Sequence, residues 1–298
     1  MHFRKHSSLA IGAILSLGAF ATLASAQGPA PMPFVTHQLK PNVYWIEGGG
    51  GNSGVIVEEK GVVVIDAKTT EAGGKELLAN IAKITPKPVT TVILTHSDGD
   101  HVNGLAAFPA GLKIIAHEND KKEQEKALSA GGRGAPPAGH LPTVVVMKNK
   151  ESFKIGGMKF DLYHWANAHT SGDLIVSLPT EKIVFTGDII ATQMNDPLIH
   201  AEKDGSSEGW ITTTKGIVKI GATDFVPGHG NVQSKADIQQ RLTRTEKKRE
   251  QIKMLVAQGK SLDEIRMAVG DPPPAAPGGR GPNFPTFTTV VYNELTKK

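Results

Sequence analysis

The sequence predicts a mixed α/β (α+β) fold in which two β-sheets pack face to face with helices outside. Two observations lead to this class. Short runs of β-branched and aliphatic residues occur in two groups along the 298 residues. Each group is followed by segments in which apolar residues recur with helical periodicity. The 298 residues are enough for one large domain or two small ones.

The first group of predicted elements lies before residue 131. Its strands are expected at residues 43–46, 54–57, 62–65, 91–95 and 112–116. The glycines at 48–51, followed by Asn52, predict a turn between the first two strands. Helices are expected at residues 72–84 and 119–130, with a short one at 103–108. This half therefore begins as strands and continues as alternating strands and helices.

The second group follows an irregular segment, residues 130–142, which is rich in glycine and proline and is expected to border a pocket. Its strands are expected at residues 143–147, 158–165, 173–178 and 182–186, with a short strand near 225–226. Helices are predicted at residues 206–219 and 234–259, and a short one from 261. A last short element is expected at residues 290–295.

The first 26 residues are typical of an export signal. Arg4 and Lys5 precede the apolar run 9–21, and the small residues 24–26 form a cleavage site. They predict a periplasmic or secreted protein with no stable membrane association after cleavage, and an uncleaved anchor is the alternative. We divide the chain into a signal peptide, a flexible leader, one domain and a Pro/Gly linker with a C-terminal segment: residues 1–26, 27–34, 35–270 and 271–298.

The composition limits the partners and the metal chemistry. The net charge of +4 comes from scattered lysines and arginines, so no nucleic-acid partner is indicated. The chain has no cysteine, which excludes disulfides and zinc–thiolate sites. Any metal must then be held by histidine, aspartate and glutamate. The sequence does not indicate an oligomeric state.

The hexapeptide from His96 to His101 (His-Ser-Asp-Gly-Asp-His) is the main functional signal. It ends the apolar run 89–95, so four metal-capable side chains crowd one turn at the end of a buried strand. Two imidazoles and two carboxylates so close together repel or desolvate one another unless a cation compensates them. Three further candidates, His169, Asp188 and His229, each lie near a glycine where a strand meets a loop.

These motifs, with Asp66 after an early strand, resemble the metallo-β-lactamase-fold hydrolases, whose five-part signature they follow in order over about residues 35–235. The resemblance implies a four-layer αβ/βα sandwich with a two-metal site along one edge. It assigns His96, Asp98 and His169 to a first metal, and Asp100, His101 and His229 to a second. Asp188 would bridge both ions, as in relatives similar to glyoxalase II. Asp66 would hold the ligand loop without ligating.

The resemblance further implies a metal-dependent hydrolase that acts on a small-molecule substrate, and the export signal places it outside the cytoplasm. A metal-bound hydroxide would attack an ester, thioester, lactone or β-lactam carbonyl, and Asp100 would act as a catalytic residue that relays a proton to the leaving group. His200 lies in the irregular stretch 193–205 and is a candidate substrate contact. The alternatives are an iron-dependent redox enzyme on the same fold and a catalytically silent binding protein.

One residue departs from the family pattern, because Asp98 stands where the ligand loop usually has its second histidine. The three aspartates and a hydroxide would cancel the charge of two divalent ions, which predicts a weaker Lewis acid than an all-histidine site. A carboxylate also favours harder metals. We expect two divalent ions, zinc in both sites, with iron or manganese as alternatives. If Asp98 does not ligate, a single metal would remain.

Overall fold

The structure is a computed structural model that describes residues 33–131, 135–271 and 284–297. The predicted signal peptide, most of the leader and most of the Pro/Gly linker lie outside the described residues. Among the residues that are described, no helix combines the length and apolar character needed to cross a membrane.

The first sheet has seven strands in chain order. They are β1 (Val35–Lys40), β2 (Val43–Glu47), β3 (Ser53–Val57), β4 (Val62–Ile65), β5 (Val89–Ile93), β6 (Lys113–His117) and β7 (Val144–Val146). Strands β1 to β4 pair antiparallel, and β4 to β7 pair parallel. The carboxyl ends of the parallel strands therefore meet at one edge of the sheet.

The second sheet has five strands in the order β12-β11-β10-β9-β8. They are β8 (Lys150–Ile155), β9 (Met158–Tyr163), β10 (Ile175–Leu178), β11 (Ile183–Phe185) and β12 (Asp224–Val226). All pairs are antiparallel except β11 with β12, which is parallel. The ends of β11 and β12 thus lie side by side.

Seven α-helices accompany the sheets in the described part of the chain. They are α1 (Glu71–Ile84), α2 (Gly99–Val102), α3 (Glu118–Ala130), α4 (Ser207–Lys219), α5 (Lys235–Ala257), α6 (Leu262–Val269) and α7 (Phe287–Thr296). Short 3-10 turns occupy Asn103–Ala107, Gly187–Ile189 and Ala201–Lys203.

Three clusters of buried side chains show how these layers stack. The central cluster joins the facing sides of the sheets, with Val63 and Ile93 from one and Phe160 and Val176 from the other. A second cluster lies between the outer side of the first sheet and α1, and a third between the outer side of the second sheet and α4 to α7. This is the four-layer αβ/βα sandwich, so the predicted fold class is confirmed.

The sequence analysis did not predict two of the strands, β1 and β8. Each lies at an edge of its sheet and consists of exposed and partly buried residues, with none fully buried. Their sequences contain many polar residues, because only one face of an edge strand of this kind packs on protein. The last helix, α7, buries Phe287, Val290 and Val291 in the same cluster as Trp210, so this C-terminal segment is part of the core.

Candidate metal centre

The ligand loop begins where β5 ends. Because β4, β5 and β6 are parallel, Asp66 after β4 and the hexapeptide after β5 reach the same edge of the first sheet. Asp98 occupies the N-cap position of the one-turn helix α2 without a side-chain capping bond, and the backbone of α2 turns Asp100 and His101 toward this edge. His96 and His101 are almost fully buried, with ring centroids 4.2 Å apart.

Asp66 anchors this loop through contacts with Thr95 and His101. Its Oδ1 accepts a hydrogen bond from the Thr95 backbone N–H at 2.8 Å, and its Oδ2 accepts one from the Thr95 hydroxyl at 2.7 Å. The same Oδ2 lies 2.8 Å from His101 Nδ1. An ionised carboxylate only accepts, so His101 Nδ1 must donate to it. The Thr95 oxygen then accepts from His96 Nδ1 at 2.9 Å, which leaves both Nε2 atoms directed at the centre.

The second sheet supplies the other three candidates. His169 lies in the loop between β9 and β10, and its Nδ1 donates to the Leu198 carbonyl at 2.9 Å. Asp188 lies in the 3-10 turn after β11, and His229 follows β12. Because β11 and β12 are parallel neighbours, the last two residues reach the same edge. The structure therefore brings all seven sequence-predicted ligand candidates together, four from one sheet and three from the other.

The first cluster contains His96, Asp98 and His169. Asp98 Oδ2 lies 3.1 Å from His169 Nε2 and 3.6 Å from His96 Nε2. Atoms that share one metal ion stand about 3–4 Å apart when each metal–ligand bond is about 2 Å. This trio thus has the spacing of ligands around a single cation.

The second cluster contains Asp100, His101 and His229. Asp100 Oδ2 lies 3.0 Å from His229 Nε2 and 3.7 Å from His101 Nε2. Asp188 approaches both imidazoles, with Oδ1 3.3 Å from His101 Nε2 and Oδ2 3.4 Å from His229 Nε2. His96, His101 and Asp188 form a third group, which links the two clusters.

Three buried atoms show that this donor set suits a metal. His96 Nε2, His101 Nε2 and Asp188 Oδ1 have no hydrogen-bond partner among the described residues. Buried polar atoms are nearly always satisfied, because an unpaired one costs about 1–3 kcal/mol. Imidazole nitrogens and carboxylate oxygens are the ligands that zinc and similar divalent ions use in proteins. Divalent ions would satisfy all three atoms.

The electrostatics of the cluster favour positive charge. Burial raises the pKa of Asp188, but the nearby His101 and His229 outweigh it and hold the pKa well below its usual range. Burial lowers the pKa of His229, yet Asp100 and Asp188 raise it to about 9. The pKa of His169 is also raised to about 9, chiefly by Asp98 against the effect of burial. The carboxylates thus stay ionised and attract cations.

Two glycines leave room for the ligands. A β-carbon at Gly51 would overlap the His101 ring, and one at Gly228 would overlap Asp188 Oδ1. The two loops also bond to each other, since the Asn52 N–H donates to the Gly228 carbonyl at 2.7 Å. Backbone from both sheets therefore packs directly against the candidate ligands.

His200, which the sequence analysis names as a candidate substrate contact, lies beside the centre. Its backbone N–H donates to the His169 carbonyl at 2.8 Å, which fixes the irregular stretch 193–205 against the site. Its Nε2 is 3.2 Å from Asp98 Oδ2. The sequence interpretation missed Lys203, whose Nζ is 2.5 Å from Asp98 Oδ1. No local motif marks Lys203, because its contact spans more than a hundred residues and exists only in the fold.

A cavity of about 1340 Å³ opens onto the centre. Asp98, Asp100, Asp188 and His229 form part of its wall. The stretch 193–200, helix α5, the end of α6 and the residues 284–287 at the start of α7 line most of the remainder, with apolar side chains that include Met194, Leu198 and Phe284. A small organic molecule with an apolar portion fits a cavity of this size and lining.

Comparison with known proteins agrees with this geometry. A family model described as the metallo-beta-lactamase superfamily matches residues 46–229. A metallo-beta-lactamase type 2 from Bacillus cereus is 27% identical over 183 residues, which are 61% of this chain and 67% of that protein.

Solved structures share the fold. A metallo-beta-lactamase from Pontibacter korlensis superposes with a TM-score of 0.61 at 19% identity, over 72% of this chain and 99% of that chain. A stereoselective inverting sec-alkylsulfatase from a Pseudomonas species superposes with a TM-score of 0.67 at 15% identity. That alignment covers 88% of this chain but only 50% of the sulfatase.

Proposed function

Because this chain belongs to the metallo-beta-lactamase superfamily and is a metal-dependent hydrolase, we propose that it cleaves an ester, thioester, lactone or β-lactam carbonyl of a small molecule. The observation that carries the proposal is the set of buried, unpartnered ligand atoms on His96, His101 and Asp188, counted among the described residues. Two divalent ions, zinc in the first instance, would be held by the two clusters, with Asp188 between them.

Bound divalent ions would polarise the substrate's carbonyl oxygen and lower the pKa of water at the centre. Asp100 is the carboxylate best placed to move a proton there, because its side chain is 36% exposed while that of Asp188 is 6% exposed. It contacts His229 and also borders the cavity. Burial raises its pKa, but His229 and His101 lower it to about 2, so it is ionised at neutral pH.

The cavity wall would orient the substrate. His200 borders the cavity next to Asp98, so its ring is positioned to contact a group bound at the centre. Phe284 packs against the His200 ring, with centroids 4.5 Å apart, and this contact limits the movement of the imidazole. His200 is therefore our candidate for a substrate-binding side chain.

The proposed setting is the periplasm or the outside of the cell. Its support is the sequence of the first 26 residues, with a basic start, an apolar run and a small-residue cleavage site. An exported protein without cysteine also avoids incorrect disulfide pairing in an oxidising compartment.

The test is metal removal followed by hydrolysis assays on β-lactam, lactone and thioester panels. We expect the purified protein to contain bound divalent metal, to lose turnover with a chelator and to recover it on addition of zinc. His101→Gln should lower the amount of bound metal, measured by elemental analysis, because it removes a ligand of the second cluster. His37→Gln, at a half-exposed histidine on β1, is the matched control and should retain metal. Full turnover without metal would refute the proposal.

A further inference from the structure

Both oxygens of the Asp98 carboxylate are engaged, but by different partners. Oδ2 faces the first cluster, where His169 Nε2 and His200 Nε2 lie 3.1 and 3.2 Å away. Oδ1 points the other way and accepts from Lys203 Nζ at 2.5 Å. The carboxylate can therefore offer one oxygen to a cation while the other remains bonded to the ammonium group.

Lys203 is held in place by more than this one contact. Its Nζ also donates to Ser97 Oγ at 2.9 Å. The Ser97 hydroxyl donates to Glu123, whose other oxygen accepts from Ser171 Oγ at 2.5 Å. The lysine side chain is 28% exposed, so water screens the pair only in part. The chain thus fixes the Lys203 ammonium group next to Asp98, at the carboxylate oxygen that faces away from the first cluster.

The charges of this pair cancel. A carboxylate with its own ammonium partner has the same net charge as the neutral imidazole that the family pattern places at this position. We propose that Asp98 and Lys203 together replace that histidine, so that the centre keeps the charge of an all-imidazole site although one ligand is a carboxylate. The inference rests on the proposed function, because it concerns the same metal centre.

The role of Lys203 is then to set how strongly the first site attracts a cation. The ammonium group withdraws electron density from Asp98 and repels a divalent ion a few ångströms away. Without Lys203, the uncompensated carboxylate should bind a cation more strongly. If Asp98 becomes histidine while Lys203 remains, the ammonium group keeps its bond to Ser97 but has no carboxylate to balance its charge, and it should weaken binding at the first site.

The experiment measures Co²⁺ binding to metal-free protein by titration calorimetry, with the visible absorption of bound Co²⁺ as a second readout. Lys203→Met should tighten the first site about tenfold, and Asp98→His should weaken it about tenfold. The double variant should return to within about threefold of the original affinity. Lys215→Met is the control, since Lys215 pairs with Glu246 on the outer helical layer.

The possible outcomes distinguish a failure of the proposed metal centre from a failure of the proposed role of Lys203. If the unaltered protein binds no Co²⁺, the metal centre itself is wrong and the role of Lys203 falls with it. If Co²⁺ binds but Lys203→Met leaves the affinity unchanged or weakens it, only the charge replacement is refuted. Because Lys203 is partly exposed, Lys203→Met tests the idea even if Asp98→His fails to fold.

Discussion

Replacement of Asp66 by asparagine should weaken metal binding in a protein that still folds. The side chain keeps its shape, and asparagine tolerates the left-handed backbone at this position, where φ is +61°. Oδ1 can still accept from the Thr95 N–H. The amide NH₂ group, however, would take the place of Oδ2, and as a donor it cannot accept from His101 Nδ1–H or from the Thr95 hydroxyl. His101 would lose the contact that directs its Nε2 at the centre, and the Thr95 hydroxyl, which orients His96, would lose its acceptor.

The size of the effect follows from these contacts. Loss of one partner behind a ligating histidine typically lowers metal affinity about 10- to 100-fold. Asp66 acts on His101 directly and on His96 through Thr95, so we expect the upper end, about 100-fold or about 2.8 kcal/mol. A buried donor left unpaired costs about 1–3 kcal/mol, so the free energy of unfolding of the metal-free protein should fall by about 2 kcal/mol.

The assay is competition for zinc with a chromophoric chelator, together with urea unfolding of the metal-free protein. Asp161→Asn is the matched control, because Asp161 is equally buried on β9 and bonds Ser152 at 2.6 Å. It should lose stability but keep its zinc affinity. Asp66→Asn protein that binds zinc as tightly as the original would show that Asp66 does not orient the ligands.

Three further perturbations test other parts of the structure. Gly228→Ala should lower zinc affinity at least about tenfold in the same competition assay, because its β-carbon would displace Asp188. Gly221→Ala is the control and should leave zinc affinity unchanged, since the described structure has open space around Gly221. Trp210→Phe should reduce the free energy of unfolding by about 1–3 kcal/mol in urea, since it removes a 2.7 Å hydrogen bond to a buried carbonyl. His117 is buried, and burial and a second histidine lower its pKa from 6.5 to about 4. Because the unfolded chain binds this proton first, stability should fall as the pH drops from 6.5 toward 4, and urea unfolding of His117→Gln should show a smaller loss over that range.

The apolar patterns predicted most of the architecture because most strands are buried on both faces. The runs 62–65 and 183–185 are entirely buried, so hydrophobicity alone marks them. The edge strands β1 and β8 expose one face, and their polar residues made them resemble loops. Sequence periodicity of two is a weaker signal than an apolar run when a strand has only five or six residues.

The ligand candidates were predictable because each follows a strand and lies beside glycine. Their partners were not, since Lys203 approaches Asp98 only when the stretch 193–205 folds back over the loop of His169. A count of three aspartates and a hydroxide against two divalent ions gives a neutral centre, whereas the folded chain adds the Lys203 ammonium group to that count. Local sequence gives the ligand types here, and tertiary packing sets their electrostatic surroundings.

The division of the ligands between the two sheets has a consequence for the rigidity of the molecule. A cation that binds His96 or His101 together with His169 or Asp188 is a removable cross-link between halves of the sandwich that are otherwise joined by side-chain packing and a few hydrogen bonds such as that from Asn52 to Gly228. It closes loops of about 70 residues or more, so its loss returns substantial conformational entropy to any partly opened form. Metal loading should therefore slow amide exchange and proteolysis along this edge, including in regions remote from the reaction itself.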